Sequence, residues 1–368
     1  MYVRRLTVGA FRNLHPCRWE PAAGVNILYG DNAQGKTNLL EACWLFTGAR
    51  SFRGARDSEM VPFGGEEARL ALDFTAGGRE QQAELCIRQR RQATLNGLKL
   101  PSAAKLAGTL CGVVFSPAHL SLVRDGPGER RKFVDAAYCQ LSPGYIGKLT
   151  EFHRVLTQRN ALLKQMTAPG RNAAADREML ELWDHTMAAA GARVTVARSL
   201  YIEKLRPLAA EIYAGLSGGR EQLSIQWESP AYAPGMTPAA VAARWKALLE
   251  TSRNADRGAG FSTVGPHRED LALTLNDTDV RTYGSQGQQR SAVLALKLAE
   301  AALLQDVTGE APVAFLDDVM SELDVSRQEY ILNHIEGWQV FITGCEPSAA
   351  LRMTAGKVFH IKQGVVSE

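Results

Sequence analysis

The chain of 368 residues has an ordinary apolar content of 45% and a formal net charge of +3. That is material for two domains or one large domain with an insertion, and too weakly basic to argue for nucleic acid on charge alone. Six cysteines lie far apart with no C-x-x-C pair, Met1–Leu6 carries no signal-peptide core, and no run of about eighteen apolar residues occurs; the composition implies no disulfide framework, zinc site or membrane span, and the expectation is a soluble, cytoplasmic protein.

In chain order, the first strong element is Val25–Tyr29, a short apolar strand. Gly30-Asp31-Asn32-Ala33-Gln34-Gly35-Lys36-Thr37 follows it and fits G-x-x-x-x-G-K-[ST], and Thr37 to Phe46 reads as an amphipathic helix through Leu39, Leu40, Cys43 and Trp44. Between a strand and a helix such a loop holds a nucleoside triphosphate. Its glycines let backbone N–H groups curl around phosphates at the helix start, Lys36 reaches the terminal phosphates, and the Thr37 hydroxyl ligates Mg²⁺.

Leu70–Phe74 and Ala83–Ile87 are strand-like, Asn96-Gly97 is a two-residue hairpin turn, and Thr109 to Phe115 is a strand broken by Ser116-Pro117. The middle changes character. Tyr145, Leu149, Phe152 and Leu156 step at helical spacing, and Trp183, Met187, Ala190, Val194, Ala197 and Tyr201 form a heptad seam. With a turn at Thr167–Asn172 between them, they predict two antiparallel helices of some twenty-five residues, either a short coiled-coil arm or a helical subdomain packed on the body. Residues 229–260 read as irregular structure leading to one helix around Ala240–Thr251. A β/α pattern then returns: strands at Leu271–Leu275, Val313–Leu316, Trp338–Thr343 and Val358–Ile361, with a long helix at Ser291–Gln305.

Two constellations in this last part carry chemistry. Val313–Leu316 ends in Asp317-Asp318; a strand that delivers an acid beside a phosphate loop can hold Mg²⁺ through water, which assigns Asp317 to the metal and Asp318 to polarising the attacking water. Lys36 and Asp317 stand 281 positions apart, far more than in a compact kinase. Ser285-Gln286-Gly287-Gln288, ahead of the long helix, can make an anion site or simply cap the helix.

In this order the parts resemble the heads of SMC-like and ABC-type ATPases, and most closely the RecF family. The resemblance rests on Phe11-Arg12-Asn13-Leu14, Ala49-Arg50-Ser51-Phe52-Arg53, Phe115-Ser116-Pro117, Arg130-Arg131-Lys132-Phe133-Val134-Asp135, Gly265-Pro266-His267-Arg268-Glu269-Asp270, Ser285–Arg290 and Leu316–Asp324, and it runs from residue 1 to about 365. It implies an α/β fold: a P-loop, ABC-type ATPase head with an antiparallel β subdomain and an inserted helical arm. The corresponding division is 1–116 for the first ATPase part, 117–260 for the arm with its helix hairpin over about 145–205, and 261–368 for the second ATPase part.

The resemblance further implies a homodimer in the ATP state. Each ATP would be held by Gly30, Asp31, Asn32, Ala33, Gln34, Gly35, Lys36 and Thr37 of one subunit, with Arg12 near the nucleotide, and by Ser285, Gly287 and Gln288 of the other. Lys36 and Asp318 would be the catalytic pair, Thr37 and Asp317 the Mg²⁺ ligands. It implies binding to duplex and gapped DNA, the partners RecO and RecR, and help in loading a recombinase. Thr343-Gly344 stands where transporter ATPases carry a γ-phosphate-sensing His, and Asp318 where they carry Glu; both suggest slow hydrolysis suited to a switch. Arg130, Arg131 and Lys132 are candidates for touching DNA or helping the dimer, whereas Arg88, Arg90 and Arg91 read better as a solvated face. His267 either contacts nucleotide or orders its loop. The alternatives are a stand-alone SMC-like head that bridges chromosome segments, an ABC transporter ATPase subunit and, least, a metabolic P-loop kinase.

Overall fold

The computed structural model describes residues 1–166, 173–346 and 355–368. The turn expected at Thr167–Asn172 lies outside them. In chain order the strands are β1 (Tyr2–Ala10), β2 (Cys17–Trp19), β3 (Val25–Tyr29), β4 (Ala68–Ala76), β5 (Arg79–Ile87), β6 (Arg91–Leu95), β7 (Leu98–Lys99), β8 (Gly112–Phe115), β9 (Leu223–Glu228), β10 (Asp270–Leu275), β11 (Thr278–Asp279), β12 (Val313–Leu316), β13 (Val340–Gly344), β14 (Lys357–Lys362) and β15 (Val365–Ser367). The helices are α1 (Lys36–Trp44), α2 (Ser121–Arg124), α3 (Pro127–Leu141), α4 (Tyr145–Gln165), α5 (Ala173–Ser217), α6 (Pro238–Ala259), α7 (Val280–Tyr283), α8 (Gln286–Thr308) and α9 (Val325–His334).

Three sheets build the body. The central one runs β15-β14-β3-β13-β12-β8, parallel except for β15. Its middle strands β3, β13 and β12 are mostly apolar and buried on both faces, as a covered parallel sheet requires; β12 (Val-Ala-Phe-Leu) is fully buried. An antiparallel sheet, β2-β1-β4-β5-β6-β7, alternates buried and exposed residues along β4 and β5 and lays its apolar face over α1. The hairpin at Asn96-Gly97 forms as its sequence predicts, both residues having positive φ. A small sheet, β11-β10-β9, packs with α5 and α8 on the other side of the central sheet. Between two layers, α1 is not amphipathic as expected: Lys36 and every residue from Leu39 to Trp44 are buried, because the helix has a sheet on each side.

The helical region exceeds its prediction. α4 has 21 residues, but α5 has 45 and spans about 68 Å at 1.5 Å per residue. A third helix, α6, of 22 residues, packs beside them. Met187, Ala190, Val194 and Ala197 of the seam meet Phe152 on α4 and Trp245 on α6, so the arm is a three-helix subdomain with its own core. Further along α5, Tyr201, Ile202, Leu205, Ala209 and Ile212 enter the core of the body beside α8. One helix therefore belongs to both units.

Buried charges fix that junction. Arg198 of α5 takes both carboxylate oxygens of Asp135 at 2.8 Å and reaches Glu269 at 3.2 Å; Glu269 also accepts from Thr195 at 2.6 Å. In the arm, Arg159 is fully buried with Asp184 and Asp256 at 2.8 and 2.7 Å. Removing one partner of such a pair leaves an uncompensated buried charge, at a cost of about 3–5 kcal/mol.

Candidate nucleotide site

The loop between β3 and α1 is shaped by backbone conformations that favour glycine. Gly30 has φ 149° and lies so close to β14 that a Cβ there would sit 2.2 Å from the Ile361 carbonyl oxygen. Gly35, at φ 117°, starts α1 without any side-chain cap, so the first N–H groups of the helix are not answered by a cap residue. Ala33 takes φ 63°, a left-handed conformation a non-glycine residue adopts only when its surroundings hold it. Those surroundings are visible: the β14–β15 turn grips Gln34 through the Gly364 N–H to its carbonyl at 2.8 Å and the Gln363 N–H to its side chain at 2.5 Å, and the Asn13 amide donates to the Ala33 carbonyl at 3.3 Å. Lys36 Nζ folds back onto the Gly30 and Asp31 carbonyls at 2.6 and 2.9 Å, a buried ammonium held inside the curl of its own loop.

Parallel pairing brings the acids to the same end of the sheet. β12 and β13 run in register from Ala314↔Val340 to Leu316↔Ile342, so Asp317 and Asp318 emerge beside Thr343. The Thr37 hydroxyl donates to Asp317 Oδ1 at 2.8 Å across 280 positions of sequence. Thr343 Oγ1 accepts the Asp318 N–H at 2.8 Å and lies 3.2 Å from a carboxylate oxygen of each acid; with one proton it can donate to only one of them at a time. Asp318 holds φ 52°, an uncommon conformation that this bond helps fix. Burial pushes the Asp317 carboxyl up, with the Asp318 charge adding to the rise, while the Thr37 and Thr343 hydroxyls oppose it. A divalent cation would relieve that penalty. The donors are hard oxygens from one hydroxyl and one carboxylate, and no group of three or more His, Cys, Asp or Glu among the described residues could hold a metal alone. That suits Mg²⁺, which is bound by one or two protein oxygens together with substrate phosphates.

The other expected site residues are distributed differently. Arg12 turns away from the loop to Glu41 of α1, bidentate at 2.5 and 3.1 Å; Glu41 is fully buried and also takes the Ser51 hydroxyl. Asn13, its neighbour in the same motif, touches the loop instead. Ser285, Gly287 and Gln288 start α8 as a closed capping box: the Gln288 N–H bonds Ser285 Oγ at 3.2 Å and the Ser285 N–H bonds Gln288 Oε1 at 2.7 Å. Among the described residues, no hydrogen bond joins them to residues 30–37 or to Asp317 and Asp318. Arg290 and Arg327 tie this helix start to the 322–327 segment, through Glu322 at 3.2 Å and Ser291 at 3.1 Å.

The basic candidates need correction. Arg130 is buried, bidentate to Asp270 at 2.7 Å on both oxygens and donating to the Leu122 and Asp125 carbonyls, so it holds α3 against β10 rather than facing a DNA backbone. Arg131 donates to the Glu269 carbonyl at 2.6 Å; of the three, Lys132 alone is exposed, paired with Glu129. Of the other cluster, Arg91 is not a solvated residue: it pairs with Asp57 at 3.0 Å and donates to the Ala49 carbonyl. His267 orders its loop, its Nε2 lying 3.0 Å from the Ser262 carbonyl; burial brings it down to about 4. Sequence reasoning missed Thr343 and Asn13 as contacts of the site. The signal for Thr343 was present, since it ends the strand beside Asp317 at the position where related ATPases carry a histidine.

No helix among the described residues is long and apolar enough to cross a membrane. A scan of known protein families returned no match. Individual proteins do match along the whole chain. It is 35% identical over 372 residues to "DNA replication and repair protein RecF" of Lachnoclostridium phytofermentans, covering 100% of both chains. It is 40% identical over 374 residues to the protein of the same name from Heliobacterium modesticaldum, covering 100% of this chain and 99% of that one. Among solved structures it superposes with TM-score 0.92 and 37% identity on the recombination mediator protein RecF-ATPrS in the RecFOR pathway, over 100% of this chain and 97% of that one. The Smc head of Pyrococcus furiosus bound to the C-terminal domain of ScpA, at 16% identity and TM-score 0.54 over 100% of this chain and 95% of that one, shares the fold.

Proposed function

This chain belongs to the RecF family of DNA replication and repair proteins, and from that premise we propose that it is an ATP-switched DNA-binding protein of recombinational repair. The observation that carries the reading is the contact between Thr37 and Asp317, 2.8 Å apart, with Asp318 beside them. Residues 30–37 hold the triphosphate of ATP, with Lys36 exchanging its two loop carbonyls for phosphate oxygens. Thr37 and Asp317 hold Mg²⁺, which neutralises phosphate charge when bound. Asp318, fixed by Thr343, orients and deprotonates the attacking water. Its carboxylate hangs on a short side chain and shares a hydroxyl, which supports slow hydrolysis and a long-lived ATP state.

Among the described residues, Ser285, Gly287 and Gln288 make no hydrogen bond to the nucleotide site of their own chain, which supports a role in trans: they close over the ATP of a second copy, and ATP drives homodimerisation. The closed dimer would grip duplex and gapped DNA in the cytoplasm, work with RecO and RecR, and help load a recombinase at single-strand/double-strand junctions. Light scattering with no nucleotide, ADP and a non-hydrolysable ATP analogue, each with and without gapped duplex DNA, tests this. The expected result is a dimer that retains DNA with the analogue alone. A monomer that ignores DNA in every state refutes the reading.

A further inference from the structure

Ser285 and Gln288 of the 285–288 motif are engaged within their own chain, and one acceptor comes from just beyond the arm helix. α5 stops at Ser217, and Glu221 lies in the short loop that leads on to β9. One oxygen of its carboxylate takes Gln288 Nε2 at 2.6 Å; the other takes the hydroxyl of Tyr213, a buried residue of α5, at 2.7 Å. These two bonds hold Glu221 below the usual carboxylate range, the Gln288 amide contributing most, so it is an anion at neutral pH. Two cations act on it, Arg220 and Arg327. Arg327 also stands beside Gly287, its guanidinium 3.9 Å from where a Cβ on that glycine would lie.

We infer that Glu221 is a stand-in anion at this motif, occupying Gln288 in the separate subunit and leaving when the triphosphate held by a second copy arrives. The inference rests on the trans reading given above. A phosphate approaching Gln288 meets a fixed carboxylate on the same amide nitrogen, and like charges in a partly buried site oppose each other strongly. Once Glu221 swings away, Arg220 and Arg327 lose a counter-charge and favour the phosphate in its place. The exchange also connects the arm to the dimer seam: Tyr213 lies on the helix whose other half forms the arm, so a shift of α5 along its axis pulls Glu221 from Gln288.

The test uses full-length wild type, Glu221→Gln and Glu221→Ala. Glu221→Gln removes the charge and keeps a group able to bond Gln288 and Tyr213. The dimer dissociation constant with a non-hydrolysable ATP analogue is measured by sedimentation, and analogue affinity at protein concentrations where the chain is monomeric. Glu221→Gln should tighten analogue-dependent dimerisation by about tenfold, and Glu221→Ala at least as much, with monomer affinity unchanged. Dimerisation equal to wild type in both variants overturns the inference. So does weaker dimerisation of Glu221→Ala with Glu221→Gln unaffected, since Glu221 would then support Gln288 rather than block it. A variant that dimerises where wild type does not supports it. If no form dimerises while each still binds the analogue, the trans reading falls, and this inference with it.

Discussion

Two helices in this protein begin with glycine-bearing motifs suited to anions, and they begin in opposite states. α1 starts at Gly35 with no side-chain cap, its loop curled by Gly30 and Ala33 around the Lys36 ammonium. α8 starts at Ser285 with both halves of a capping box made and Gln288 bound to Glu221. The first is open because the surrounding fold carries its strain: β14 presses on Gly30 and the β14–β15 turn grips Gln34. The second is closed by its own capping residues and by Glu221 from the loop that follows the arm helix. An uncapped start waits for a ligand, whereas a capped one must exchange partners to take one. One motif therefore serves its own chain, and the other is suited to answering to an event outside it.

The strongest way to break this contrast is at Lys36. Lys36→Ala removes the cation of the open start and should weaken ATP binding at least about 100-fold, since charged hydrogen bonds contribute about 1.5–3 kcal/mol each; titration with a fluorescent ATP analogue reads it. Affinity within a few-fold of wild type would mean that the open start is not the phosphate cradle. At the closed start, Ser285→Arg should leave that affinity intact and abolish analogue-induced dimerisation. Dimers as abundant as in wild type would remove the trans role. The milder Ser285→Ala deletes the cap and should lower stability by about 1 kcal/mol in urea unfolding, a loss for which α1 has no counterpart.

Asp318→Asn lies between the two starts and sharpens their order in time. It should keep ATP binding and lengthen the life of the ATP-bound dimer several-fold in a dilution assay; dissociation as fast as wild type would show that Asp318 is not the base. The smallest effect is expected away from both helices, at the loop joining body to arm. His267 is near 4 in the fold against 6.5 when free, because burial disfavours its charge. It is neutral in the folded chain, so the stability it contributes is complete above about 6.5 and falls away as pH drops towards 4. Urea unfolding across that window should show a shallower decline for His267→Gln than for wild type; parallel curves would mean that the imidazole stays accessible to protons.

The open start was legible in the sequence because its chemistry is local. A strand, a glycine-bounded loop and Lys36-Thr37 all lie between Val25 and Thr37, and spacing alone fixes what can bind there. The strand Val313–Leu316 was legible only in company: an apolar run ending in two acids is a weak signal alone, since many strands end in Asp for turn chemistry, and becomes a strong one in a chain that carries a phosphate loop. The arm was half legible. The seam from Trp183 to Tyr201 predicted a helix and Ala240–Thr251 another, which is α6, yet the full length of α5 and the packing of α6 as the arm's third member were missed, because a helix that changes partners midway keeps its period while changing what it is buried against. The basic run misled for a related reason: charge is visible in sequence, but whether Arg130 faces solvent or Asp270 is not.

Sequence by itself determined the phosphate loop, the acid-ended strand and the order of parts that makes this a RecF-family chain, since each depends on residue types at fixed spacing. Tertiary structure turned the expected neighbourhood of Asp317 and Thr37 into a direct hydrogen bond, and it alone decided that Thr343 stands between the two acids, that Asn13 rather than Arg12 touches the loop, and that Glu221 holds Gln288. Those contacts join positions from 20 to 280 apart in the chain. They exist because parallel strands and one long helix carry distant segments to the same end of a sheet, and no local pattern of residue types encodes that meeting.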